Sequence, residues 1–326
     1  MKERLRVTLL YGGRGYESEV SLRGKAHVLP YLEEKYCVLQ TFIDKCGRWI
    51  CDGEQVFPTE GGFIDQRGRR LAVDCAIPLL HGDFGEDGVV QGALENAKIP
   101  YIGCDTRASA LCRDKFVVKQ VAESLSIPTL PCLLLLRREG IDYSARLCEE
   151  RLGYPIFIKP CLLGSSIGAS AARNKEELRF ALENAFSLCE RLIAEPCLDD
   201  KRELECGYFS AGGREIYSWP GEILIEGSYG YEEKYLSDTR LAARAEIPSK
   251  IACKIRDYSR ALTRALGLRD ISRIVYFLSR GEIYFNEINT TPGFTSGSLY
   301  HKMLSAAGVP LDGLFELLIS NAVARG

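Results

Sequence analysis

Lys159-Pro160-Cys161-Leu162-Leu163-Gly164-Ser165-Ser166-Ile167-Gly168 reads as a strand ending in a lysine that runs into a Gly-Ser-Ser-x-Gly turn, with Ala169 to Ala172 as a second β-like run. Glycines let backbone N–H groups approach an anion closely, serine hydroxyls add donors, and lysine supplies positive charge. A Walker A phosphate loop needs a different spacing and a helix directly after the turn, and this segment has neither. It reads instead as a glycine-rich hairpin, either a plain turn or one that touches phosphate.

Working outward, Arg6 to Tyr11 reads as a buried strand, followed by Gly12-Gly13-Arg14-Gly15 and a helix from about Ser18 toward Tyr36. Pro30 inside that helix predicts a kink or an end near Leu29. A strand over Tyr36 to Ile43, a hairpin around Lys45 to Arg48 and a strand over Cys75 to Leu80 complete an alternating α/β unit. The loop His81 to Gly88 then lies at a strand C-terminus, where open α/β sheets bind ligands. A helix over Arg107 to Ser126 stops at Ile127-Pro128, and a strand follows through Leu136. Further on come β-like runs at Glu203 to Ser210 and Ile271 to Leu278, a helix over Pro248 to Leu266, and a hairpin over Phe277 to Ile288 turning at Arg280-Gly281. The pattern is α/β, with boundaries near Cys104 and Glu195 and no internal repeats.

Composition narrows the function classes. The 326 residues carry 42 Lys and Arg against 44 Asp and Glu, a net charge of −2, which leaves no electrostatic footprint for nucleic acid or an anionic membrane surface. The longest apolar run, Leu130 to Leu136, is interrupted by Pro131 and is far too short to span a bilayer. Val7 to Tyr11 is too short for a signal-peptide core, so the expected location is cytoplasmic. Thirteen cysteines, with no C-x-x-C pair or zinc-type cluster, read as small buried hydrophobes.

Two more segments could carry chemistry. On the strand Asn286-Glu287-Ile288-Asn289, residues two apart share a face, so Glu287 and Asn289 suit two oxygen ligands for Mg²⁺; a capped polar strand end is the plain alternative. Glu17-Ser18-Glu19-Val20-Ser21 follows the first glycine loop, where Glu19 suits a helix-dipole role. Tyr231-Glu232-Glu233-Lys234-Tyr235 reads on its own as a solvated loop.

In this order and spacing the segments resemble the D-alanine:D-alanine ligases of the ATP-grasp superfamily. The match runs through Gly12-Gly13, Glu17-x-Glu19-Val20-Ser21, His81-Gly82-x-Phe84-Gly85-Glu86-Asp87-Gly88, Asp114-Lys115 and Lys159-Pro160 with Gly164-Ser165-Ser166-x-Gly168. It continues through Tyr231-Glu232-x-Lys234-Tyr235, Asn286-Glu287-Ile288-Asn289-Thr290-x-Pro292-Gly293 and Ser298-Leu299. The resemblance implies a three-domain ATP-grasp fold: a Rossmann-like substrate domain over 1–104, a central subdomain over 105–194 and a catalytic subdomain over 195–326. It also implies the joining of two D-alanines, for peptidoglycan precursor synthesis, through an acyl phosphate made from ATP, with Mg²⁺ or Mn²⁺ as cofactor, in a cytoplasmic homodimer.

By position, the resemblance gives Glu17 the first substrate's ammonium, with His81 nearby. Lys115, Lys159 and Lys234 would contact phosphates, and Glu195 and Glu203 the adenine and ribose side. The Ser165 loop would meet Tyr235, while Arg273 and the Gly293 backbone stabilise the oxyanion. Ser298 and Leu299 would bind the second amino acid, and Glu287 and Asn289 the metal. The family's Arg-x-Asp places a metal-binding aspartate where this chain has Val275. That departure motivates a rival reading, a catalytically weakened nucleotide-binding relative, and raises the question whether Asp270 stands in. Gly103-Cys104-Asp105-Thr106 also resembles the D-serine-using branch, so D-serine is an alternative acceptor.

Overall fold

The computed structural model describes residues 4–198, 200–224 and 240–326. Seven strands make the first sheet: β1 (Arg6–Gly12), β2 (Cys37–Ile43), β3 (Trp49–Cys51), β4 (Glu54–Thr59), β5 (Gly62–Asp65), β6 (Arg70–Ala72) and β7 (Cys75–Pro78). Their order is β6-β5-β4-β3-β2-β1-β7. Val7, Leu9 and Leu10 are fully buried because β1 runs parallel between β2 and β7 with both faces covered. The hairpin near Lys45 continues into an antiparallel meander through β6 that the sequence reading leaves unassigned, since strands of three to six residues carry little periodicity.

Helix α1 (Ser18–Glu33) passes through Pro30 rather than ending before it. Proline removes one i→i−4 bond, and the carbonyl it abandons belongs to exposed Ala26, where water can serve it. After α2 (Val89–Asn96), the single helix expected over 107–126 is two: α3 (Thr106–Arg113) and α4 (Lys115–Ser124). Asp114 breaks them with an extended backbone and caps α4, its Oδ1 accepting from Phe116 and Val117 N–H at 3.0 and 3.2 Å.

Four antiparallel strands form the second sheet: β8 (Leu133–Leu136), β9 (Ile156–Pro160), β10 (Ser170–Ala172) and β11 (Arg191–Pro196), ordered β10-β9-β11-β8. Helices α5 (Ile141–Arg151) and α6 (Lys175–Leu188) close a core on it around Leu135, Ile156, Leu178 and Leu192. The third sheet holds β12 (Arg202–Ala211), β13 (Arg214–Tyr217), β14 (Gly221–Leu224), β15 (Arg240–Ala242), β16 (Asp270–Ser279) and β17 (Glu282–Asn289), with β13 paired to β12 beside the path β15-β14-β12-β16-β17. Helices α3, α4 and α7 (Ser249–Leu266) share its core through Ala108, Val118 and Ile255. The last helices, α8 (Leu299–Ala306) and α9 (Leu311–Arg325), pack with β1 and β7 in a core that includes Val7, Leu9, Phe294, Tyr300 and Leu318. No single described helix is long and apolar enough to cross a membrane.

Asp270 stands away from any metal role. It is fully buried and held at both oxygens by Arg325 at 2.6 and 2.7 Å, with the Asn321 amide and the Gly103 N–H adding donors at 3.0 and 2.8 Å. This cluster ties α9 to β16 and to the segment between α2 and α3. Arg325→Ala strips the main counter-charge from a buried carboxylate and is expected to cost about 3 kcal/mol, read as a lower urea midpoint with unchanged slope. Seven of the thirteen cysteines are buried and all are free thiols; burial pushes the Cys104 thiol up to about 12.

Candidate active site

The loop that ends β1 is pinned from within the following helix. The Ser21 hydroxyl accepts from Gly12 N–H at 2.8 Å and donates to the Leu79 carbonyl at 2.5 Å, joining α1 to the ends of β1 and β7. Gly12 has φ +94°, and a Cβ there would lie 2.5 Å from the Ile43 carbonyl oxygen, so a side chain does not fit. Glu17 is thereby placed, buried, at the head of α1, where it accepts from the Ser165 hydroxyl. Ser165 and Ser166 both hold left-handed backbones, φ +50° and +59°, uncommon away from glycine. A Cβ on Gly164 would meet Glu17 Oε2 at 3.1 Å and Arg113 Nη1 at 3.3 Å, so the glycine lets the hairpin lie directly over Glu17.

Below this contact the groups are charged, with Arg113 and Glu86 buried. Arg113 binds Glu86 at 2.8 Å and Asp83 at 3.0 Å. Burial pushes the Glu86 carboxyl up to about 7, against the opposing pull of Arg113. Burial also holds the His81 imidazole below its ordinary range, with Glu17 pulling the other way, so the ring is neutral at pH 7. Its Nδ1 donates to the Thr291 carbonyl at 3.2 Å.

The Asp114 cap starts α4 with Lys115, whose ammonium donates to the Leu163 carbonyl at 2.6 Å and lies 3.6 Å from Glu287. Burial lowers the Lys115 pKa, Glu287 opposing it. Lys159 on β9 contacts Glu195 at 2.5 Å and donates to Asn286 Oδ1 at 3.1 Å, while Lys119 reaches the other Glu195 oxygen at 2.6 Å. Burial would raise the Glu195 pKa, but Lys159 and Lys119 outweigh it and hold the carboxyl down at about 2.

On the third sheet, cross-strand register sets two rows. Glu205, Val275 and Glu287 stand side by side on β12, β16 and β17, and next to them Gly207, Arg273 and Asn289. Arg273 pairs with Glu205 at 3.1 Å. The register shifts between Val275 and Tyr276, leaving Asn286 as an extra residue, so that Asn286 serves Lys159 while its neighbour Glu287 serves Lys115.

These elements enclose a cavity of ≈ 830 Å³ lined by Glu17, His81, Ser165, Arg273, Glu287, Asn289, Gly293, Ser298 and Leu299. Nine residues singled out in the sequence therefore meet in one place. Lys159 and Glu195 line a second, smaller cavity with Phe157, Cys197, Lys201 and Phe277. The Lys201 ammonium lies over the Phe277 ring, 4.7 Å from its centre. Glu203 is not among the residues lining either cavity. Lys234 and Tyr235 lie outside the described residues. Sequence reasoning missed Arg113, Lys119 and Glu205, and it quoted Glu86 within a motif without giving it a role. Glu205 was within reach of it, since it stands two positions after Glu203 on one strand and so shares its face.

The donor set fits a hard divalent cation completed by substrate oxygens. Glu287 and Asn289 both face the cavity, and among the described residues the buried Asn289 Nδ2 has no hydrogen-bond partner. Turning that amide offers an uncommitted oxygen in its place. Among the described residues no three His, Cys, Asp or Glu side chains form a cluster able to hold a metal by themselves. Val275, almost fully buried, adds no oxygen.

Two family descriptions match the chain: "D-ala D-ala ligase N-terminus" over residues 6–104 and "D-ala D-ala ligase C-terminus" over 121–320. The D-alanine–D-alanine ligase of Solibacter usitatus is 38% identical over 329 residues, covering 99% of this chain and 96% of the relative. Among solved structures, D-alanyl-alanine synthetase A from Vibrio cholerae superposes with a TM-score of 0.90 at 30% identity, covering 99% of this chain and 100% of that one. The VanG D-Ala:D-Ser ligase from Enterococcus faecalis gives 0.88 at 30% identity, covering 98% and 100%.

Proposed function

Because this chain belongs to the D-alanine–D-alanine ligase family and has its ATP-grasp fold, we propose that it is an ATP-dependent ligase that joins two D-alanines. The observation that carries the reading is the convergence of Glu17, Ser165, Arg273 and Glu287 on one cavity, with Lys115 3.6 Å from Glu287 behind its wall. Units 1–104, 105–194 and 195–326 would each contribute one wall.

In this reading Glu17, oriented by Ser165 and flanked by neutral His81, holds the first D-alanine's ammonium. Lys115 and Lys159 neutralise the phosphates of ATP, and Glu195 stands on the adenine side. Glu203 would serve the ribose side, and Lys234 and Tyr235 would complete the lid. The D-alanine carboxylate oxygen attacks the γ-phosphorus, and ADP leaves. The second D-alanine, seated at Ser298 and Leu299, attacks the acyl carbon with its neutral amine and forms the C–N bond; the tetrahedral oxyanion meets Arg273 and the Gly293 N–H, and its collapse breaks the C–O bond to phosphate, which takes up the amine's proton as it leaves. Mg²⁺ or Mn²⁺, held by Glu287 and Asn289, would supply charge neutralisation for phosphoryl transfer. The buried walls keep water from the acyl phosphate. A cytoplasmic homodimer feeding peptidoglycan precursor synthesis is the setting that goes with this activity.

Phosphate release with ATP, Mg²⁺ and D-alanine tests the reading, and mass analysis of the product with D-alanine and D-serine in competition tests the acceptor. The expected product is D-alanyl-D-alanine. A D-alanyl-D-serine product would reassign the acceptor, and folded protein that releases no phosphate would leave a non-catalytic nucleotide binder.

A further inference from the structure

The chain has three histidines, and each meets a main-chain carbonyl of the same short loop, between β17 and α8. His81 reaches Thr291, His27 Nδ1 reaches the Phe294 oxygen at 2.8 Å, and His301 Nε2 reaches the Thr295 oxygen at 2.9 Å. A carbonyl can only accept, so each of these nitrogens carries its proton: His27 is the Nδ1–H form and His301 donates from Nε2. The two rings come from opposite sides, His27 from α1 and His301 from α8, and meet with centres 5.3 Å apart.

The carbonyls they hold are those that shape the acceptor end of the cavity. Thr295 O also accepts from Ser298 N–H at 2.9 Å, and Thr295 N–H donates back to Ser298 Oγ at 3.0 Å, so one small ring of bonds sets Ser298. Phe294 follows Gly293 directly and is fixed from below by Tyr300 and Phe315, with ring centres 5.7 and 5.2 Å away. The underside of the loop is thus packed by aromatic rings, and its upper side is tied by two imidazoles.

We propose that His27 and His301 are positioning residues that clasp the 293–298 loop between α1 and α8, fixing Gly293 and Ser298 for the second amino acid. The proposal rests on the ligase reading of the cavity and deepens it at the acceptor subsite. His27 stands at the cavity wall and His301 outside the cavity's lining, and each acts through the carbonyl it holds.

The test uses four variants of the full chain. His27→Ala and His301→Ala remove the donor. His27→Asn keeps an amide N–H at the place of Nδ1, and His301→Gln keeps one at the place of Nε2. In the two-phase D-alanine saturation curve, the alanine variants are expected to raise the acceptor KM about tenfold and leave the donor KM within about twofold, with the Asn and Gln variants restoring it. Hydrogen exchange of the 293–298 amides, followed without any substrate, is expected to speed up in the alanine variants and return toward the wild-type rate in the Asn and Gln variants. Unchanged loop exchange overturns the clasp even if the wild-type protein turns nothing over, which would sink the ligase reading separately. So does an acceptor KM that stays put, or donor and acceptor KM values that rise together with no rescue by Asn or Gln.

Discussion

Glu195→Gln is expected to destabilise the protein by about 3 kcal/mol and to flatten the acid side of its stability curve. Glu195 is almost fully buried and faces two buried lysines, at 2.6 and 2.5 Å. Without its charge, Lys119 and Lys159 remain as unpaired cations in a dry interior, the situation in which breaking a buried ion cluster costs most. The pH dependence has a definite sign. The Glu195 carboxyl titrates at about 2 in the folded chain, below its ordinary range. Its contribution is therefore full above roughly pH 5 and is lost as pH falls toward 2. Urea denaturation of the wild-type protein should show that loss, and the Gln variant should lack this component. Lys119→Met is the informative contrast: one lysine still balances Glu195, so the expected cost is smaller. A Gln variant as stable as the wild type would refute the account.

Val275→Asp is expected to raise magnesium-dependent turnover by at least about tenfold while making stability depend on magnesium. The side chain at 275 stands between Glu205 and Glu287 in cross-strand register. A third carboxylate there meets like charge on both sides, which costs free energy when no cation is present. With Mg²⁺ and a non-hydrolysable ATP analogue the same oxygen becomes an additional ligand, and the penalty turns into binding free energy. The expected result is a melting temperature below wild type in EDTA that recovers with magnesium and nucleotide, together with faster phosphate release. Equal rates for the two proteins would show that the missing acid does not limit the reaction.

Much of the site was legible because its residues sit in short, chemically unusual strings. Glu17 after a glycine turn, the Gly-Ser-Ser-x-Gly hairpin and the Glu287-x-Asn289 pair each announce themselves in a dozen residues or fewer, and the structure gathers them on one cavity. What stayed illegible was set by tertiary contacts. Pro30 looked like a helix terminus because propensity is local, whereas the α1 face of Val20, Val28 and Leu32 is held by the core. Asp114 was seen as part of a motif, but not as the cap that splits one helix into two and aims Lys115. Asp270, a plausible stand-in acid by proximity to Arg273 in sequence, proves to be committed to Arg325. His27 and His301 gave no signal at all, because nothing in the spacing of residues 27 and 301 tells that they touch.

The extra residue at Asn286 has a consequence for how β17 can change. Along a regular strand odd and even positions keep opposite faces, yet Ile283, Phe285 and Ile288 all reach the same apolar core. The strand therefore changes phase partway along: odd positions are structural before the bulge, and odd positions 287 and 289 are functional after it. Loss of one residue there would invert the rest of the strand, turning Glu287 and Asn289 into the core and Ile288 into the cavity. The bulge acts as a parity switch, and it lets a single continuous strand serve as hydrophobic wall at one end and as ligand shelf at the other.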